Sequence, residues 1–274
     1  MALAQIAVLL HLGAAVLYAC AFVAVTLRAA SALRADGPAR VLGFAGLAMH
    51  AAGIAALWAA TGHGPVVTRF ENLSSYAFVS AALGVVIAER RRDLGAVRLV
   101  LLPVAFIMLG IALYSGQQPS SLPPTFTGVW LVLHAGFYFL AFGTAATGVA
   151  AAALLMVGDR FKGALTARIG DTAALDELSY RYAGLAFTFW GIGMLTGSIW
   201  ANHAWGRYWG WDPVETWSLI TWLLFAAYLH LRRFYAWSGR KAAVLLVVCF
   251  ALALMSLFGT SLITRSVHSV YFRS

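Results

Sequence analysis

Residues 205 to 217 read Trp205-Gly206-Arg207-Tyr208-Trp209-Gly210-Trp211-Asp212-Pro213-Val214-Glu215-Thr216-Trp217. Seven of the ten tryptophans fall between positions 190 and 222. An aromatic belt at a membrane surface accounts for one or two indoles per helix end. It does not account for four within 13 residues, interleaved with glycines. Indole faces stack on planar conjugated molecules, and Gly206 and Gly210 let the backbone come close. Trp205, Trp209, Trp211 and Trp217 therefore read as a shelf for a large, flat, partly apolar ligand. Asp212, Pro213 and Glu215 also suit a plainer role as N-cap, first residue and first-turn acid of the next helix.

The elements that position these residues are set by composition. Of 274 residues, 62% are hydrophobic and 11% charged. The apolar residues come in long blocks, and a helix needs about 20 residues to cross the hydrocarbon core. The fold class is all-α: a polytopic membrane protein, one domain over 1–274, with about eight transmembrane helices near 3–27, 41–60, 72–88, 99–115, 127–156, 183–200, 216–236 and 242–264. The net charge of +9 does not indicate nucleic acid, because Lys and Arg sit in short loops between the blocks. Fifteen of the 19 follow blocks 1, 3, 5 and 7. The positive-inside rule places those loops in the cytoplasm and both termini on the extracytoplasmic side. The tryptophan-rich segment 200–216 then faces outward. The segment 158–182 forms a cytoplasmic loop in which Asp171-Thr172 starts a short helix. Cys20 and Cys249 lie in apolar blocks without CxxC spacing and read as buried small residues.

Ionisable residues inside spans are rare and usually functional. His134 falls just inside the outer end of the fifth span and His268 just beyond that of the eighth. Two imidazoles at one level beside an aromatic shelf suggest bis-histidine ligation of haem iron. Zinc would call for closer His or Cys spacing and has no use for the shelf. His230 lies 14 residues past Thr216, about 21 Å along the helix, in the inner part of the bilayer. His11 and His50 are near mid-span; His63 and His203 are in outward loops.

These residues together resemble the CcsA (ResC) family of cytochrome c maturation proteins, within the haem-handling group that shares a tryptophan-rich WWD motif. The segment from Trp205 to Arg232 carries the resemblance most strongly, with W-D-P-V-E-T-W and L-H-L-R. Trp130 to His134, Gly259 to Ser269, and His63 with Phe70-Glu71-Asn72-Leu73 match in the same order. Ser261, Ser266, Val270, Thr68 and Arg69 depart from the usual pattern. The resemblance implies that haem (haem b before attachment) is received in the membrane and presented on the outward face. The thiols of a CxxCH apocytochrome c there form thioether bonds with it, in a haem-lyase type of synthase. By position, His134 and His268 would be the outward axial ligands and His230 an intramembrane ligand, its mate being His50, His11 or a partner residue. The usual partner is a CcsB (ResB) membrane protein, with thiol-reducing proteins acting indirectly on the client. Haem iron is the metal expected.

Arg207, Arg69 and Arg265 are candidates to pair the haem propionates, since a guanidinium suits bidentate carboxylate contact; a topological or headgroup role fits each equally. Two rival readings are a membrane b-type cytochrome with structural haem and a transporter without bound haem. The first expects paired histidines on transmembrane helices and leaves the shelf unexplained. A haem spectrum of the purified protein separates the second.

Overall fold

The computed structural model describes residues 2–30, 36–116, 125–126, 128–160 and 170–259. His268 and Arg265 lie outside the described residues. Among the described residues, eight helices are long and apolar enough to cross a membrane: α1 (Ala2–Ala30), α2 (Gly37–Thr61), α3 (Arg69–Arg90), α4 (Arg98–Tyr114, preceded by a 3-10 turn), α5 (Val129–Arg160), α6 (Thr172–Trp205), α7 (Pro213–Phe234) and α8 (Gly239–Leu254, continued by a π-helical turn to Gly259). The protein is an integral membrane protein, and the eight expected spans are all present. The α5–α6 and α1–α2 pairs pack most extensively.

Helix ends follow from local chemistry. Thr68 caps α3, and the Glu71 carboxylate reaches back to the Val67 and Thr68 amides at 2.8 and 3.0 Å. Asp212 caps α7 over Pro213, and Glu215 accepts from the Asp212 and Gly210 amides at 3.1 and 2.8 Å. Both are reciprocal capping boxes, which satisfy amides a helix start would otherwise orphan. Gly62 and Gly206 end α2 and α6 with φ of 75° and 73°, the left-handed geometry glycine adopts without strain.

The segment expected as a short helix within 158–182 differs in form. Asp171 does cap a helix, its carboxylate accepting from the Ala173 amide at 3.3 Å. That helix then runs unbroken for 34 residues to Trp205, because no proline intervenes before the apolar stretch. The irregular part of the tryptophan segment is correspondingly shorter, from Gly206 to Asp212. Cys249 is buried as expected, whereas Cys20 is exposed on α1; neither forms a disulfide.

Arginines at the end of the bundle opposite the 206–212 loop do more than follow topology. Arg232, its side chain 7% exposed, grips Asp176 through both terminal nitrogens at 2.8 and 2.9 Å. Asp176 also accepts from the Gly239 amide at 3.0 Å. One carboxylate thus ties the start of α6 to the end of α7 and the start of α8. Arg98, similarly buried, holds Asp36 at 2.6 and 2.9 Å and joins α4 to the start of α2.

His11 and His50 are fully buried and meet at Ser74. For neutral imidazoles the bond directions are forced. His11 Nδ1 donates to the Ala7 carbonyl at 2.7 Å, so its Nε2 accepts from the Ser74 hydroxyl at 3.0 Å. Ser74 Oγ then accepts from His50 Nε2–H at 2.9 Å, and His50 Nδ1 accepts from the Tyr18 hydroxyl at 3.1 Å. The chain of bonds locks α1, α2 and α3 with every partner satisfied. Ser74→Ala removes the hub and strands two buried ring nitrogens, at about 1–2 kcal/mol each. We expect its thermal unfolding in detergent to show a loss of about 2–4 kcal/mol; wild-type stability would mean water replaces the hydroxyl.

Candidate functional site

A cavity of about 510 Å³ opens beside the 206–212 loop, within the size range of small-molecule sites. Its upper wall includes His134, Asn72, Trp200, Trp209 and Glu215; its deeper wall includes Met108, Phe142 and Phe250. The lining comes from α3, α4, α5, α6, α7 and α8 and is mostly apolar and aromatic.

His134 projects from the first turns of α5. Its Nδ1 donates to the Gly193 carbonyl on α6 at 2.9 Å. A carbonyl only accepts, so in the neutral ring Nδ1 carries the proton and the lone pair sits on Nε2, the tautomer that suits a metal ligand. The Trp200 ring lies nearly parallel to the imidazole, 6.0 Å away at 19°. Tyr138, one turn on, meets it edgewise at 4.9 Å. Tyr138 is fixed by a 2.6 Å bond between its hydroxyl and Ser218 Oγ, and Trp190 donates its indole N–H to the same oxygen at 2.9 Å. Tyr138 and Ser218 both line the cavity.

The four tryptophans of the expected shelf part company. Trp209 lines the cavity, and its buried indole N–H has no hydrogen-bond partner among the described residues. Trp205, at the end of α6, packs edgewise behind Trp200 at 4.9 Å. It joins a small cluster with Val67, Phe126 and Leu131. Trp211 adopts φ 56° and is 68% exposed. Trp217 lies outside the cavity lining. Gly206 ends α6, and at Gly210 the flexible Arg207 guanidinium occupies the place a β-carbon would take. Arg69 lines the cavity; Arg207 does not.

The remaining histidines are elsewhere. His230 is exposed near the far end of α7, beside Phe234 and Tyr235 at 4.7 and 5.7 Å. His203 is exposed and donates to the Ile199 carbonyl at 2.8 Å. His63 donates to the Gly64 carbonyl at 3.0 Å and stands 3.9 Å from Glu71. Among the described residues, no three His, Cys, Asp or Glu side chains converge on a metal position.

Sequence reasoning missed Trp200, Tyr138, Ser218, Gly193 and Gly197. A signal existed for some of them. Tyr138 is four residues after His134 and so shares its helix face. Gly193 and Gly197 have the same spacing, which marks a close-packed helix face. The rotation of α6 that turns Trp200 toward α5 has no such signal in one sequence.

A family model described as Cytochrome C assembly protein matches residues 66–268. The cytochrome c biogenesis protein CcsA of Microcystis aeruginosa is 32% identical, covering 83% of this chain and 87% of that protein. The CcsA protein of Trieres chinensis is 30% identical over 77% of this chain and 79% of its own length. That of Chlamydomonas reinhardtii is 34% identical over 78% of this chain, which spans 63% of it. Among solved structures, the cytochrome c haem lyase CcmF superposes with a TM-score of 0.73, covering 99% of this chain and 49% of CcmF at 20% identity. That likeness speaks for a shared fold.

Proposed function

We propose that this chain, which belongs to the cytochrome c assembly protein family, binds haem in the cavity beside the tryptophan loop and presents it there for covalent attachment to an apocytochrome c. The observation that carries this reading is His134. Its proton is committed to the Gly193 carbonyl at 2.9 Å, its lone-pair nitrogen belongs to a residue of the cavity wall, and that wall is aromatic and large enough for a planar ligand. His268 supplies the second axial ligand in this reading.

The residues present fit a porphyrin. Trp200 and Trp209 offer ring faces and edges. The apolar depth around Met108, Phe142 and Phe250 accommodates the hydrocarbon part of the macrocycle. Arg69 is the described arginine of the cavity wall and is assigned to a propionate. The glutamates do not compete for the iron, because Glu71 and Glu215 are held by backbone amides. Haem supplies the vinyl groups: a client thiol adds across each double bond, its sulfur and its hydrogen going to the two vinyl carbons, with no external oxidant. The chain's part is to fix the ring plane, occupy the iron and present one edge, so that positioning provides the rate.

By the positive-inside rule this cavity faces the extracytoplasmic side. His230, exposed near the opposite end, is then the receiving ligand within the membrane. Its mate belongs to another chain, because His11 and His50 are committed to Ser74 on α1–α3. A CcsB-like membrane protein is the assigned partner, with the client kept reduced by other thiol-reducing proteins.

The test is spectroscopic. Protein purified in detergent from haem-replete cells, alone and with its partner, carries haem with the sharp reduced bands of two imidazole ligands. Protein that contains no haem under both conditions, and takes up none from added hemin, overturns the reading.

A further inference from the structure

Helix α6 presents Gly193 and Gly197 toward α5 at the level of His134. A side-chain carbon built on Gly197 would overlap His134 Nδ1 and stand 2.5 Å from its Cε1, far inside any tolerated contact. One turn earlier, Gly193 supplies the carbonyl that Nδ1 bonds, and a carbon on Gly193 would crowd the Tyr138 ring at 3.0 Å. Trp200, nearly one turn after Gly197, lies nearly parallel to the imidazole with its ring centre 6.0 Å away. The ring therefore lies in a slot whose floor is bare backbone. By contrast Gly184, on the same helix, has no atom of the described residues within 4 Å of such a carbon, so glycine is not needed there for space.

We propose that Gly197, with the Gly193 carbonyl, is a positioning element for the haem ligand: it admits His134 to the α6 backbone, fixes its tautomer and aims Nε2 into the cavity. This rests on the haem reading above. A methyl group at Gly197 rotates the ring out of the slot and breaks the Nδ1–H bond to Gly193. Outer-shell bonds of this kind typically matter by about 10- to 100-fold in metal affinity.

The experiment compares wild type, Gly197→Ala and Gly184→Ala loaded with hemin, and measures apo-protein melting in His134→Gly and His134→Gly/Gly197→Ala. Gly184→Ala keeps the wild-type low-spin spectrum. Gly197→Ala binds haem about 10- to 100-fold more weakly and gives a high-spin spectrum that added imidazole converts to low-spin. In the absence of haem, Gly197→Ala lowers the melting temperature in the wild-type background and not in the His134→Gly background, since the clash leaves with the ring. A wild-type spectrum in Gly197→Ala, or an equal melting loss in both backgrounds, overturns the proposal. Absence of haem from wild type itself would instead overturn the haem reading, and the melting cycle would still report on the slot.

Discussion

Replacing His134 with alanine removes haem from the purified protein or leaves it high-spin, and abolishes maturation of c-type cytochromes in cells that depend on this chain. An axial imidazole is the main directional bond between protein and iron. The Gly193 carbonyl, the Trp200 face and the Tyr138 edge all hold that one ring. Alanine leaves the slot between α5 and α6 empty, so added imidazole restores a low-spin spectrum without restoring the covalent link to α5. Combining His134→Ala with His268→Ala eliminates both proposed ligands, and haem falls to background. Wild-type haem content and spectrum in the double variant would place the iron elsewhere. The maturation assay separates this role from that of a b-type cytochrome, whose loss would leave c-type cytochromes intact.

Asp176→Ala is expected to be the most damaging single change to stability. It frees no surface charge; it leaves Arg232, with a side chain 7% exposed, buried without its carboxylate. Breaking a buried pair from one side costs about 3–5 kcal/mol. The Gly239 amide loses its acceptor in the same step. At about 2–4 °C per kcal/mol for a chain of this order of size, the melting temperature in detergent falls by about 10 °C. Asp176→Ala with Arg232→Met recovers most of that loss, because no unpaired charge remains. A single variant melting within about 2 °C of wild type would show the guanidinium to be solvated.

Composition made the spans legible, because a membrane helix announces itself by length and apolarity. The capping role of Asp212 and Glu215 was equally legible, since it is set by neighbours in sequence. The matching box at Thr68 and Glu71 is just as local, but those residues drew notice only as part of a motif. What one sequence hid was rotation about helix axes. Four tryptophans close in sequence look like one surface. Yet Trp205 still belongs to α6, Trp211 is turned out by a left-handed backbone, and Trp217 is already inside α7, so Trp209 is the member that reaches the cavity. Trp200 reaches it from an unremarked position on a face that only packing against α5 selects. The arginines show the same limit: charge counting reads Arg98 and Arg232 as topology signals, whereas both side chains are buried on partners, Asp36 and Asp176, that are distant in sequence.

Helix α6 has 34 residues without a break, a rod of about 50 Å. Asp176 near its first turn is clamped to α7 and α8, while Gly193, Gly197 and Trp200 near its last turns seat the imidazole. A continuous helix resists twisting about its own axis, so the two ends share one angular setting. Loosening the clamp lets the whole shaft turn, and the glycine floor then slides away from His134. Damage at one membrane surface would then disturb the proposed iron ligand at the other, with no residue of the cavity changed.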